Sequence, residues 1–192
     1  MNRRVFISTM VSAAFLAVVP ARAAEPGDWE VFGRLADAVA SLLTVGDPIA
    51  ETVNRLKFRR FLRAVENSVA EIADSKFTVL EMLQLPTCSS DPGDRIMAAR
   101  AAALRIIPLV DQLAAHVRTF ATAVRPSGTR EDIVRIAEDF RSMQHRKMWV
   151  YRIDTYCAET PEGRFAFRKE VAGSYDLVRR SQRSIGLLLE RL

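Results

Sequence analysis

The two cysteines of the chain, Cys88 and Cys157, are the residues whose chemistry is easiest to predict. A disulfide needs an oxidising compartment and two Cα atoms about 4.4–6.8 Å apart. Cys88 falls between the second and third predicted helices and Cys157 near the end of the fourth, and these places meet at one end of an antiparallel bundle. We predict a Cys88–Cys157 disulfide. The alternative is two unrelated thiols, with Cys157 as a small core residue.

A run of basic residues on the second predicted helix could bind an anion. Arg55, Arg59 and Arg63 are spaced four residues apart, so they line one stripe of a helix, and Arg60 lies beside it. Such a face suits an anionic membrane surface or an acidic partner. The alternative is an ordinary bundle helix with solvated arginines. The last predicted helix carries a second basic cluster with the same two interpretations, formed by Arg179, Arg180 and Arg183.

Motifs for catalysis or cofactor binding are absent from the sequence, which has no Cys-x-x-Cys-His, His-Glu-x-x-His, Gly-x-Ser-x-Gly or phosphate-binding glycine loop. The histidines, His116 and His145, are expected about 12 Å apart along antiparallel helices, too far to share a metal ion. Met143, His145 and Met148 are ligand types that suit copper, but helical phase places His145 on the solvated side. We therefore expect no catalytic, metal or cofactor site.

Helices must position these residues. Apolar side chains recur every three to four positions, prolines fall between segments, and no segment alternates long enough with period two to predict a strand. Thr129 and Thr160 are expected helix caps. The second helix is long enough to bend or break near Asp74, or to project past the others. The predicted helices cover 28–45, 48–85, 94–124, 129–158 and 161–192.

The predicted fold is an all-α, up-down four-helix bundle with a shorter N-terminal helix packed on it. Short connections make consecutive helices antiparallel, which places helices two to five in the bundle. The first helix is only about 27 Å long, and we expect it to pack on the side of the bundle as a lid. The sequence has no internal repeat, so residues 24–192 are predicted to form one domain.

Residues 1–23 have the three parts of a cleavable export signal. Arg3 and Arg4 form a basic head, an apolar run covers 5–19, and Ala21 and Ala23 are the small residues that precede a cleavage site. The apolar run is too short for a stable membrane span. We predict cleavage after Ala23, which leaves a mature protein that is not an integral membrane protein.

The segment Asn2-Arg3-Arg4-Val5-Phe6-Ile7-Ser8 resembles the twin-arginine (Tat-type) export motif. Both arginines, the phenylalanine and the aliphatic position match, whereas Asn2 and Ser8 depart from the motif. The alternative is a general secretory signal with two chance arginines. The resemblance covers the signal alone, and it implies a periplasmic location.

Charge excludes one class of function. Loss of residues 1–23 lowers the net charge from +5 to +2, and a nucleic-acid binder normally carries a strong basic patch. The expected function is a non-enzymatic binding module of the periplasm, whose partner is a periplasmic protein, an anionic envelope surface or a small ligand. The alternative is a periplasmic bundle that carries a metal or a cofactor.

Overall fold

The computed structural model describes residues 28–44, 55–84, 88, 93–143 and 145–192, with the backbone alone for 145–148. Within these residues the chain is all-α, as predicted, and contains no strand. The predicted export signal lies outside them. The helices are α1 Glu30–Thr44, α2 Arg55–Gln84, α3 Gly93–Ala123, α4 Gly128–Ser142, α5 His145–Asp154 and α6 Pro161–Arg191, with a 3-10 turn at Tyr156–Ala158 before α6.

Three helices of nearly equal length, α2, α3 and α6, form the long elements of the fold, and α2 packs against both of the others. Contacts between α2 and α3 show that they run antiparallel, because Phe58 stacks near Phe120 while Glu71 pairs with Arg105. The α2 helix continues through Asp74, so the break considered there does not occur. None of the helices in the described ranges has an apolar stretch long enough to cross a membrane.

The short helix α1 belongs to the core and is more than a lid. It packs against α6 and α4, and Phe32 has no exposed surface and meets Phe140 edge-on, with ring centroids 4.8 Å apart. A Cβ atom on Gly33 would lie 3.4 Å from the side chain of Leu177, so the glycine permits a close approach of α1 to α6. Trp29, just before α1, is 5% exposed.

The prediction of one helix over 129–158 is wrong. The chain forms α4 and α5 instead, and Met143 leaves the helical region between them with φ −53° and ψ 106°. No glycine or proline marks this break, but it allows both α4 and α5 to pack against α3. The predicted cap is also corrected, because the hydroxyl of Ser127, not of Thr129, accepts a hydrogen bond from the Arg130 N–H at 3.3 Å.

The last helix begins as predicted. The Thr160 hydroxyl accepts a hydrogen bond from the Gly163 N–H at 3.1 Å, and Pro161 occupies the first turn, where its missing N–H costs nothing. The predicted apolar stripe of this helix is buried, at Val171, Val178 and Ile185 among others.

Candidate functional site

Cys88 and Cys157 form the predicted disulfide, with their Cα atoms 5.5 Å apart. A second contact closes the same end of the molecule, where the Tyr156 hydroxyl donates to the Leu83 carbonyl at 3.1 Å. Burial raises the pKa of Tyr156, which keeps this donor protonated. The two cysteines are 69 residues apart in sequence. In the chain-entropy model, a disulfide that closes a loop of this size stabilises the folded protein by about 4 kcal/mol. The disulfide indicates an oxidising compartment outside the cytoplasm.

The α2 arginine face consists of Arg55, Arg59, Arg60 and Arg63, and all four side chains are exposed. Phe58, which lies between them in sequence, has no exposed surface and packs against α3. Among the described residues, no ion pair joins any of the four arginines to a carboxylate. The helix therefore places the predicted cationic face in solvent and its apolar neighbours in the core.

A groove of about 570 Å³ runs between α2 and α6. The two helices run antiparallel, because Lys76 contacts Ser174 while Glu66, ten residues earlier on α2, shares the groove with Arg183. We call this feature the α2–α6 groove. Its lining consists of Glu66 from α2 and, from α6, Arg179, Gln182, Arg183, Gly186, Leu187 and Glu190.

The α2–α6 groove continues the α2 arginine face. Arg59 and Arg63 lie within about 60° of Glu66 around α2, at 3.6 residues per turn, so they extend the same wall toward the end of α6. The two basic clusters of the sequence thus contribute to one strip of surface, while Arg180 is exposed on α6 outside the lining. The two clusters are more than 110 residues apart in the sequence, and only the antiparallel packing of α2 on α6 brings them to the same side of the molecule.

Neutral groups hold Arg179 in the groove. Its Nε donates to the Tyr175 hydroxyl at 3.0 Å and its Nη1 to the Gln182 Oε1 at 2.8 Å, and the guanidinium carbon lies 5.6 Å from the Tyr175 ring centroid. In the described part of the chain no carboxylate forms an ion pair with it. The guanidinium is therefore fixed in place and keeps its charge available to a ligand.

The interior holds a second polar site, which sequence analysis missed. We call it the interior cluster: Lys76, Trp29, Trp149, Glu170 and Ser174. Lys76 has no exposed surface, and its Nζ donates to the Ser174 Oγ at 2.8 Å. The same nitrogen lies 3.0 Å from the Trp29 ring centroid and 4.0 Å from that of Trp149. Four helical regions therefore meet at one amine.

Glu170 links this cluster to a nearby arginine. Its carboxylate accepts from the Trp149 Nε1 at 2.9 Å and from the Arg152 Nη1 at 2.6 Å. Arg152 also lies 4.2 Å from the Phe167 ring centroid. Burial lowers the pKa of Lys76 well below its usual value, while the negative charge of Glu170 raises that pKa by a smaller amount. The surroundings therefore favour the neutral amine.

One sequence signal could have identified Lys76. Leu62, Val69, Lys76 and Leu83 recur every seven residues, so the lysine occupies a core position of α2. A desolvated amine is the type of lysine that attacks carbonyl compounds, but this one has no exposed surface for a reactant to reach. In this structure the interior cluster connects α2 to α5, α6 and the residues just before α1.

Met143 is the one residue of the copper hypothesis whose side chain the structure describes. His116 is half-buried, with its Nε2 3.4 Å from the Gln112 Nε2, and Met143 is 4% exposed. The side chains of His145 and Met148 lie outside the described part of the structure. Within that part, no group of three or more His, Cys, Asp or Glu residues is placed to hold a metal ion.

Comparison with known proteins yields no relative. No protein-family model, no curated protein and no solved structure matches the chain.

Proposed function

We propose that the protein is an exported, periplasmic helical bundle that binds an anionic partner through the α2 arginine face and performs no catalysis. The observation that carries the proposal is the exposure of all four arginines on a helix whose intervening Phe58 is fully buried. Cations on a rigid helix present charge at fixed spacing, which favours recognition of an anionic partner. No ion pair with a described residue neutralises them.

Export to the periplasm is part of this proposal. Two observations support it: the disulfide, which indicates an oxidising compartment, and the signal-like residues 1–23 with their resemblance to the twin-arginine motif at Arg3 and Arg4. We propose that cleavage after Ala23 leaves an up-down four-helix bundle of α2, α3, α4 with α5, and α6. The short helix α1 packs against both α4 and α6.

Replacing Arg55, Arg59 and Arg63 with glutamine tests the binding proposal. We expect the variant to lose retention on polyglutamate beads at low salt. Its unfolding free energy should change by less than about 0.5 kcal/mol, because the replaced groups are exposed. The retention of the wild type should itself fall at physiological salt, where the Debye length is about 8 Å.

A charge-matched control replaces three exposed arginines outside α2 and α6, namely Arg118, Arg125 and Arg135. This control should bind as the wild type does. Equal loss in both triple variants would show that net charge alone drives retention, and undiminished binding of the α2 variant would refute the proposed face. A large loss of stability in the α2 variant would show that the arginines are structural.

A further inference from the structure

The α2–α6 groove has unfilled space next to Gly186. A Cβ atom added at Gly186 would meet nothing within 4 Å, so the glycine leaves space between the walls. Leu187 beside it is 55% exposed, which is high for a leucine on a helix that packs against α2. The groove therefore offers a recess with an apolar contact as well as charged groups.

The lining of the α2–α6 groove carries charges of both signs. Arg179 and Arg183 line the groove together with Glu66 and Glu190, and no ion pair in the described residues joins these arginines to these glutamates. The α2 arginine face by itself attracts any polyanion, but inside the groove a uniformly negative ligand would also meet both glutamates. A ligand with spaced carboxylates can place each carboxylate opposite an arginine instead.

We propose that the α2–α6 groove binds an extended polypeptide segment whose carboxylates are spaced by neutral residues. Arg63, Arg179 and Arg183 pair with the carboxylates, and Leu187 contacts an apolar side chain of the segment. Arg179 is positioned in advance by Tyr175 and Gln182, which reduces the entropy lost on binding. This inference rests on the proposed function, because it assigns the anionic partner to one chemical class.

A bulky side chain at Gly186 tests the groove without removing any charge. Gly186→Phe would fill the recess, and Gly173→Phe is the matched control. Gly173 is on the same helix, a Cβ atom there also meets nothing within 4 Å, and it lies about 140° away around α6. Glycine is a poor helix former, so neither replacement should lower the melting temperature.

Binding is measured by fluorescence anisotropy with a labelled peptide of alternating glutamate and alanine, on the exported protein at low salt. We expect Gly186→Phe to weaken binding at least about tenfold, a loss of roughly 1.4 kcal/mol. Gly173→Phe should bind within about twofold of the wild type. Phosphatidylglycerol vesicles are measured in parallel, and we expect no difference in vesicle binding between the wild type and either variant.

The outcomes separate this inference from the proposed function. If Gly186→Phe binds the peptide like the wild type while the Arg55, Arg59 and Arg63 variant does not, the groove is refuted and the arginine face stands. Binding to vesicles in preference to the peptide would overturn the polypeptide assignment. A wild type that binds neither probe would overturn both proposals.

Discussion

Helices α2 and α6 contribute to two clusters of basic and aromatic side chains, one in the interior and one at the surface. In the interior, Lys76 contacts Trp29 and Trp149 and has no exposed surface. At the surface, Arg179 lies beside Tyr175 and lines an open groove. The residue types are similar, but water reaches only the second. Desolvation therefore favours the neutral amine of Lys76, while Arg179 keeps a charge that a ligand can use.

Two ion pairs differ in solvent exposure in the same way, although their N–O distances are equal. Arg152 and Glu170 approach to 2.6 Å with side chains 18% and 22% exposed, and Arg34 and Asp139 approach to 2.6 Å at 50% and 33%. Solvent screens the second pair, so the equal distance implies an unequal contribution to stability.

Glu170→Gln should have the largest effect among the following substitutions. The amide still accepts from Trp149, but Arg152 loses its 2.6 Å carboxylate partner and keeps only Glu159, whose Oε1 lies 3.7 Å from the Arg152 Nε. Both pairs are mostly buried, so we expect a loss of about 2–3 kcal/mol in unfolding free energy. Urea denaturation followed by tryptophan fluorescence measures it. Both tryptophans of the chain belong to the interior cluster, so the signal reports on this site.

The control for this substitution is Asp176→Asn, an exposed carboxylate on the same helix, for which we expect a change below about 0.5 kcal/mol. Equal effects of the two substitutions would show that the interior cluster contributes no more than the surface does.

Lys76→Met should raise stability by about 1–2 kcal/mol at neutral pH. The substitution removes a buried amine, and Ser174 keeps its hydrogen bond to the Val171 carbonyl at 2.8 Å while Glu170 keeps Trp149 and Arg152. The matched control is Lys169→Met, an exposed lysine on α6, which should change stability little. A Lys76→Met variant that is less stable than the wild type would show that the amine contributes net binding between the helices.

The stability gain from Lys76→Met should also depend on pH. Folding lowers the pKa of Lys76, so below the folded-state pKa the cost of burying the amine is complete and constant. As pH rises from there toward about 10.4, the unfolded chain holds a proton that the folded protein has released, and wild-type stability rises. The difference between the variant and the wild type should therefore narrow in alkaline solution. A constant difference would mean that Lys76 titrates equally in both states.

Arg34→Gln should have the smallest effect, a loss of about 0.5 kcal/mol or less, because the Arg34–Asp139 pair is exposed. Denaturation at low and high salt measures it, and the difference should shrink at high salt as screening increases. A loss as large as that of Glu170→Gln would contradict the conclusion that burial separates the two ion pairs.

The sequence by itself determined the local features of this protein. The apolar spacing predicted the helices, and Thr160 with Pro161 predicted the start of α6. The four-residue spacing of Arg55, Arg59 and Arg63 predicted that these arginines share one face of α2. The disulfide was predictable because a single pairing of two cysteines was available and the chain order places them at one end of the bundle. Each of these follows from periodicity, capping or chain connectivity.

Only the tertiary structure decided where contacts from distant segments meet. The break at Met143 has no local signal, and it accompanies the burial of Trp149 against Trp29 and Lys76. Glu66 and Arg183 line one groove because α2 and α6 pack antiparallel to each other. The heptad pattern predicts only that Lys76 occupies a core position. Its lowered pKa results from burial, because helices remote in sequence exclude water from the amine.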